Sequence, residues 1–503
     1  FYACKNLTRA EIPTCVIEYM APYKIQSVSI INGEYIGEKA FEYYTNLADV
    51  TIGDSVKHVD ENAFKDCKSN ITNATITDVA IEAMQGLSLT LQSVTITKGI
   101  ISARAFFQFE KLESITFGNE VTKICERAFN YCPLVTSITI PRFMTNIHST
   151  AFDFCPGLEK ITVEDGNTTY HSDGNCLIET NYKYLVLGCK TSVIPNDGSV
   201  TGITSHAFRG NSALTNLLIP DCITFIGQSA FEWCTNLRSI DIPDSVENIY
   251  ESAFVRCGLV NVKLSNQIRY IRAYTFQSCF ALESITIPDS VFGIYEDAFN
   301  RCTHLSSVTL SKNLKFIDDG AFTACPNLLE IYNKSSLNIV KGDYQYGFIG
   351  YQAKDIYTDE YVSKLSKTKE GFTLYTDGDD VMLISYSGLD STVAIPDGTT
   401  EIISNAFAFC KNIVRIELPD SVKTIRQAAF SGCDDLKSIY IPSSVEVIEG
   451  SIFALCKYLT DIEFDGTKEQ WDSIVNPNWN NYIGGYTLHC TDGDYDMNGN
   501  IIE

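Results

Sequence analysis

Apolar residues along this chain follow a period far longer than that of a helix or a strand. One clean unit reads Ala230-Phe231-x-x-Cys234-x-x-Leu237-x-x-Ile240-x-Ile242-Pro243-Asp244-Ser245-Val246-x-x-Ile249. Phe231, Phe254, Phe276, Phe299 and Phe322 stand 23, 22, 23 and 23 residues apart. Steps of 23 also link Phe41 to Phe64, Phe106 to Phe129 to Phe152, Phe208 to Phe231, and Phe407 to Phe430 to Phe453. With degenerate units centred on Phe1, Tyr19 and Met84, the count comes to about seventeen. A fixed period of this length predicts a solenoid of stacked units.

Each position has a physical reason. Phe231 and Cys234, three apart, share one face of a single helical turn. Ile240 and Ile242 alternate about Asp241, as a strand with one buried face requires. Pro243 has no N–H to donate and ends the strand, and Asp244-Ser245 is turn chemistry. Val246 and Ile249 bring the chain back across the core. One unit buries too few apolar side chains to offset ordering its own backbone, so stacking must supply the rest. The expected architecture is a curved parallel β-sheet with short helical turns.

The array, expected over 1–163, 203–332 and 401–464, is interrupted twice. The first insertion, 164–202, reads as a hairpin of Cys176-Leu177-Ile178 and Leu185-Val186-Leu187. In the second, 333–400, Asp359 to Lys367 is expected as a short helix. Phe372-Thr373-Leu374-Tyr375 and Val381-Met382-Leu383-Ile384 are expected as a hairpin around Asp377-Gly378. After Phe464 the pattern stops, and 465–503, with Gly466-Thr467-x-x-Gln470-Trp471, is expected to cap the open core. The first residues, from Phe1 to Leu7, carry no leader-like pattern and read as the middle of a repeat, with an upstream leader or cap removed.

The unit resembles that of the BspA-like leucine-rich-repeat family, Ala-Phe-x-x-Cys-x-x-Leu-x-x-Ile-x-Ile-Pro-x-Ser-Val. The match runs through nearly the whole chain and is clearest at Phe254–Pro288, Phe299–Phe322 and Phe407–Phe464. The hairpin insertions and the Gly-Thr-x-x-Gln-Trp ending also look like segments of that family. The resemblance implies a leucine-rich-repeat solenoid, secreted or held at the surface of host-associated bacteria or parasitic protists. It further implies adhesion to host proteins, and it leaves the ligand unnamed.

Composition narrows the picture. The 503 residues are 45% hydrophobic and 20% charged, a globular balance. No apolar run is long enough for a membrane-spanning helix. The net charge of −24, spread along the chain, repels phosphate backbones and makes nucleic acid an improbable partner. Most of the 18 cysteines, among them Cys67, Cys132, Cys234, Cys302 and Cys433, fall three residues after the repeat phenylalanine. Tyr44, Phe109 and Asn211 share that slot, so it reads as a buried core position. Cys176 and Cys189 are the pair best placed for a disulfide.

Other chemistry is sparse. His171 with Cys176 and Cys189 makes three potential metal ligands at no compact zinc spacing. Asp494-Tyr495-Asp496-Met497-Asn498-Gly499 imitates half a calcium loop, but a hairpin turning at Asn498-Gly499 explains it more simply. No metal or cofactor is expected. No nucleophile elbow, zincin, P-loop or dinucleotide motif occurs, and His58, His148, His171, His206, His304 and His489 are scattered. Sequons stand at Asn6, Asn70, Asn73, Asn167 and Asn333.

Binding candidates follow from the strand pattern. The residue between the two isoleucines points away from the core, on the strands that line the inner, concave curve of a leucine-rich repeat. Down the array this row reads Thr116, Thr139, Thr162, Leu218, Asp241, Lys263, Thr286, Thr309, Tyr332, Glu417, Tyr440 and Glu463. Threonine suits an exposed strand position without any ligand. The change to Tyr332, Glu417, Tyr440 and Glu463 fits a protein or glycan contact better. The second insertion, with Tyr344, Tyr346, Phe348, Tyr351, Tyr357 and Tyr361, is the other candidate. A non-catalytic surface binding protein is therefore expected. The alternatives are a structural spacer displaying another domain and an enzyme within 333–400.

Overall fold

The computed structural model describes residues 9–19, 25–42, 44–65, 67, 71–359 and 361–502. Phe1, Asn6, Asn70 and the side chain of Tyr19 lie outside the described part. The chain divides into two units, Phe1–Gln277 and Ser278–Glu503. Both are parallel-strand solenoids, as the period predicts, and each turn of the coil has three sides.

The first side is the Leu-x-x-Ile-x-Ile strand. In the first unit, Val28, Val50, Ala74, Val94 and Ile115 stand side by side on successive parallel strands, their side chains buried. In the second unit, Ile416, Ile439, Ile462 and Leu488 do the same. The second side is a two-residue strand around the unit's last isoleucine: Ile203 pairs with Ile226, and Ile226 with Ile249.

The third side carries the Ala-Phe signature, and here the expected helical turn is replaced by something else. Residues two before and two after the phenylalanine have positive φ: Ser229 (53°) and Trp233 (65°) around Phe231, Asp297 (53°) and Arg301 (62°) around Phe299. Left-handed residues thus alternate with ordinary ones. The alternation turns up to three amides of a unit toward the next. Ser229, Phe231 and Trp233 donate to the carbonyls of Glu251, Ala253 and Val255 at 3.1, 2.8 and 2.8 Å. A helix would satisfy these groups within the turn; here they form a third ladder along the array, while Ala230 and Glu232 between them donate within the turn to Gly227 O and Ser229 O at 3.3 and 3.2 Å.

Phenylalanines stack beneath that ladder. Phe208, Phe231 and Phe254 lie nearly parallel with centroids 5.1 and 5.3 Å apart, and Phe299 meets Phe322 in the same way at 5.1 Å. The cysteine three residues on does more than fill space. Cys234 donates its thiol to Phe208 O at 3.2 Å, Cys257 to Phe231 O at 2.9 Å, and Cys456 to Phe430 O at 3.1 Å. Each adds a second hydrogen bond to a carbonyl of the preceding unit that already accepts an amide of its own turn, from Asn211, Cys234 and Cys433 respectively. Burial pushes the Cys155 and Cys325 thiols up to about 12, so they remain protonated. Cys176 and Cys189 are thiols too, bonded to the carbonyls of Gly174 and Asn175.

Both insertions contain the expected hairpin. Cys176–Glu179 pairs antiparallel with Tyr184–Leu187, and Phe372–Asp377 with Asp380–Tyr386. In each, the last strand then runs parallel to the second side of the next turn: Leu185 beside Ile203, Leu383 beside Ile402. The hairpin therefore stands in for one missing turn and keeps the ladder in step.

Two expectations fail in 333–400. Asp355–Tyr357 pairs in register with Glu330–Asn333, and Phe322 donates to Gly347 O at 2.8 Å, so 334–357 is one more turn of the solenoid. No helix occurs among the described residues of 359–367: Leu365–Lys367 is a strand antiparallel to Phe372–Asp377. Its partners, Tyr375, Leu374 and Thr373, follow just after it in the chain, and pairing with them overrides local preference.

The ending also goes further than expected. Helix Lys468–Ile474 starts with a capping box between Thr467 and Gln470. It buries Trp471 against Phe464 and Trp479, at 5.2 and 5.1 Å. Thr487–Cys490 then extends the strand face by one more parallel strand, and antiparallel Gly493–Asp496 covers its edge.

Candidate binding surface

In the first unit the strand-face row is open. Thr116 and Thr139 are exposed, as are Leu218, Asp241 and Lys263. In the second unit Thr286 is exposed and Thr309 half-buried, with Tyr332 beside Thr309 on the next strand.

Tyr332 does not present an open ring. It is 7% exposed, stacked on Tyr357 at 5.3 Å and on Tyr361 at 3.8 Å. Its hydroxyl donates to Glu330, which also accepts from Lys364 N at 2.7 Å and Ser363 Oγ at 2.8 Å. Lys367 reaches Glu283 at 2.8 Å. Residues 361–367 therefore lie across the strand face and cover it at Glu283, Glu330 and Tyr332. Tyr332 was expected as a contact residue; the structure makes it part of the support beneath this strap. Burial and the neighbouring Glu330 push its hydroxyl pKa well above the ordinary value.

The other insertion aromatics are brought together in the open. Tyr344 stacks on Tyr351 at 4.9 Å, and Phe348 meets both rings edge-on at 5.5 and 6.2 Å. Tyr344 is 62% and Tyr351 43% exposed. Tyr346 and Phe348 are half-buried, both with positive φ. Three mutually supporting rings on one added turn make a preformed apolar surface of the kind that dominates binding energy elsewhere.

Farther on, Glu417, Tyr440 and Glu463 stand next to one another on adjacent strands. The acidic groups are not bare. Arg415 donates to Glu417 at 2.8 Å and in a two-pronged contact to Glu463 at 2.7 and 3.0 Å. That pairing holds the Glu463 carboxyl below its usual range. His489 extends the row onto the last parallel strand, Thr487–Cys490, bonded to Asp494 at 2.9 Å and Asp461 at 3.2 Å. Burial works against its charge, but the two carboxylates outweigh it and raise its pKa above 6.5. Sequence reasoning missed Arg415. Its signal was there, since residues two apart on a strand share a face.

No group of histidine, cysteine and carboxylate able to hold a metal occurs among the described residues. The calcium-like tail is a turn in which Asp496 accepts from the amides of Asn498 and Asn500 at 2.9 and 2.8 Å. His304 is buried and bonded to Asn405 O at 2.8 Å. Among the described residues no helix is long and apolar enough to cross a membrane.

The family model for the BspA type leucine-rich repeat region matches residues 1–71, 19–85, 82–198, 201–329 and 386–476. No curated protein matches the sequence. Among solved structures, a leucine-rich cell surface protein from Faecalibacterium prausnitzii is 25% identical, with 71% of this chain and 92% of that one covered and a TM-score of 0.43. A leucine-rich-repeat protein from Eubacterium ventriosum is 20% identical, over 68% and 93%, with a TM-score of 0.44. The pneumococcal vaccine antigen PcpA is 18% identical, over 68% and 82%, with a TM-score of 0.42.

Proposed function

The chain is a member of the BspA-type leucine-rich-repeat family, and from that premise we propose that it is a non-catalytic binding protein, secreted or displayed at a cell surface. It engages a protein or glycan ligand through the second unit. The main contact is the cluster of Tyr344, Phe348 and Tyr351, with the strand-face row at Glu417, Tyr440 and Glu463 as a second, separate contact. The observation that carries this reading is the exposed aromatic cluster. Three rings held against one another outside the core do little for the fold, whereas rigid aromatic anchors are the usual source of interface affinity. Adhesion to host material is the activity this reading assigns.

The test is a binding screen of the full chain against extracellular-matrix proteins, mucins and neutral and acidic glycans at physiological salt. The expected result is a saturable hit weakened at least tenfold by Tyr344→Ala and Tyr351→Ala, and less by Tyr440→Ala. If no hit in the screen is weakened by any of the three, the proposal is overturned.

A further inference from the structure

The first unit carries a feature that this reading does not use. Its second-side sheet runs without a break from the insertion hairpin through Gly202–Ile203 and Phe225–Ile226, and ends at Asn248–Ile249. The next turn follows after a shortened step, with Ile271 22 residues beyond Ile249. Beside the sheet's end lies a cleft of about 440 Å³, lined by Glu247, Asn248, Gln267, Arg269, Tyr270 and Arg272. That volume is within the range of small-ligand sites.

The same positions elsewhere show what is unusual. Glu247 and Arg269 flank their two-residue strands as Lys423 and Glu446 do in the second unit, and Tyr250 and Arg272 correspond to Arg426 and Glu449. There the ladder is closed, and the facing charges pair at 3.6 and 2.9 Å. Here Glu247 and Arg269 line the cleft, and Arg272 lies against the Tyr250 ring.

An aromatic strip leads to the opening. Tyr182 and Tyr184 stack at 5.8 Å, Tyr184 meets Phe225 at 5.1 Å, and Phe225 meets Tyr250 at 6.3 Å. Gly202 makes the strip continuous, because a Cβ there would sit 2.1 Å from the Phe225 ring. Arg272 lies against Tyr250, its Cζ 5.3 Å from the ring centroid, so its guanidinium is ordered at the edge of the cleft. Tyr182 is 63% and Tyr270 38% exposed.

We propose that this cleft binds one or two rings of a neutral oligosaccharide, with the aromatic strip carrying the rest of the chain. A sugar ring presents hydroxyls that both donate and accept, and C–H faces that pack on aromatic rings. The cleft supplies the complement: Glu247 accepts, Arg269 and Arg272 donate, and Asn248 and Gln267 do both. A neutral ligand also suits a protein of net charge −24, which repels polyanions at long range.

The experiment is calorimetric titration of the full chain with maltotetraose, cellotetraose, lacto-N-tetraose and 3′-sialyllactose, at 50 and 300 mM salt. At least one neutral tetrasaccharide is expected to saturate with a millimolar or tighter Kd that salt does not change. Glu247→Ala and Arg269→Ala, both exposed, should each weaken it tenfold or more at an unchanged melting temperature, and Tyr250→Ala should also weaken it. Tyr344→Ala should leave it intact, which separates this site from the surface of the second unit. Absence of neutral binding, binding of sialyllactose only, or binding indifferent to Glu247→Ala and Arg269→Ala overturns the proposal.

Discussion

Replacing Ala324 by glycine should stabilise the protein, against the general rule that glycine weakens ordered structure. Ala324 is an exposed left-handed residue, φ 56°, two positions after Phe322. For an L-residue that conformation costs roughly 1–2 kcal/mol. Glycine removes the cost, but it gives the unfolded chain more freedom to lose, worth about 0.4–1 kcal/mol. The difference favours glycine by roughly 0.5–1 kcal/mol, and no side-chain packing is sacrificed at an exposed methyl. The array already makes this choice at the equivalent Gly210 and Gly432, with φ 73° and 72°. Repeat arrays unfold in segments, so the readout is amide hydrogen exchange across 299–348 alongside the urea midpoint. Ala281→Gly, in a turn with ordinary φ, is the control and should destabilise by about 0.5–1 kcal/mol. If Ala324→Gly weakens protection as much as Ala281→Gly does, the left-handed ladder is not under strain and the reasoning fails.

Three further outcomes follow. Arg209 joins buried Asp153 at 3.1 Å and Glu232 at 2.9 and 3.1 Å; Arg209→Ala strands the Asp153 carboxylate and should cost about 3–5 kcal/mol, partly recovered by adding Asp153→Ala, as urea unfolding of the first unit would show. His489 has its pKa raised by Asp494 and Asp461, so the grip it lends the closing hairpin is fully present below about 6.5 and fades as pH rises through the higher folded value. Proteolysis within 491–502 should accelerate between pH 6 and pH 8 in the native chain and show no such step in His489→Gln. Among the described thiols Cys15 is the exposed one, so a maleimide should modify it in the native protein and reach Cys132, Cys234 and Cys433 only on unfolding; prompt labelling of those three would contradict their place in the core.

The period of the chain made most of the fold legible. Phenylalanine spacing located the turns, Pro243 and its equivalents located strand ends, and the hairpin at Asp377-Gly378 appears where turn chemistry placed it. The left-handed residues were hidden because Ser229, Trp233, Asp297 and Arg301 have nothing in common as side chains. Only backbone hydrogen bonding to the next turn selects that conformation, and the scattered glycines at Gly210, Gly320 and Gly432 were the one hint. The extra turn at 334–357 lacks the signature, with Gly347 where alanine is usual. The surface was legible as a row but not as a state. Alternation put Tyr332, Glu417, Tyr440 and Glu463 on one face, whereas the covering of Tyr332 depends on Tyr361, Ser363 and Lys364, some thirty residues away in sequence. The cleft beside Asn248–Ile249 had no sequence sign beyond a step one residue short.

The ladder on the Ala-Phe side has a direction. Every one of its amides points toward the following unit and every accepting carbonyl toward the preceding one, so its peptide dipoles add, whereas those of the two β-ladders largely cancel. The column behaves like a helix dipole laid along the stack with its sign reversed: bare donors, and partial positive charge, collect at its C-terminal end. Evolution cannot lengthen or shorten such an array freely at that end, because each truncation exposes donors that a neighbouring turn had satisfied. In this chain the segment after the capping helix meets the requirement, with Asn478 O accepting from Ser451 at 2.8 Å and Tyr482 O from Leu455 at 3.1 Å. Any added, grafted or swapped repeat must bring such carbonyls with it.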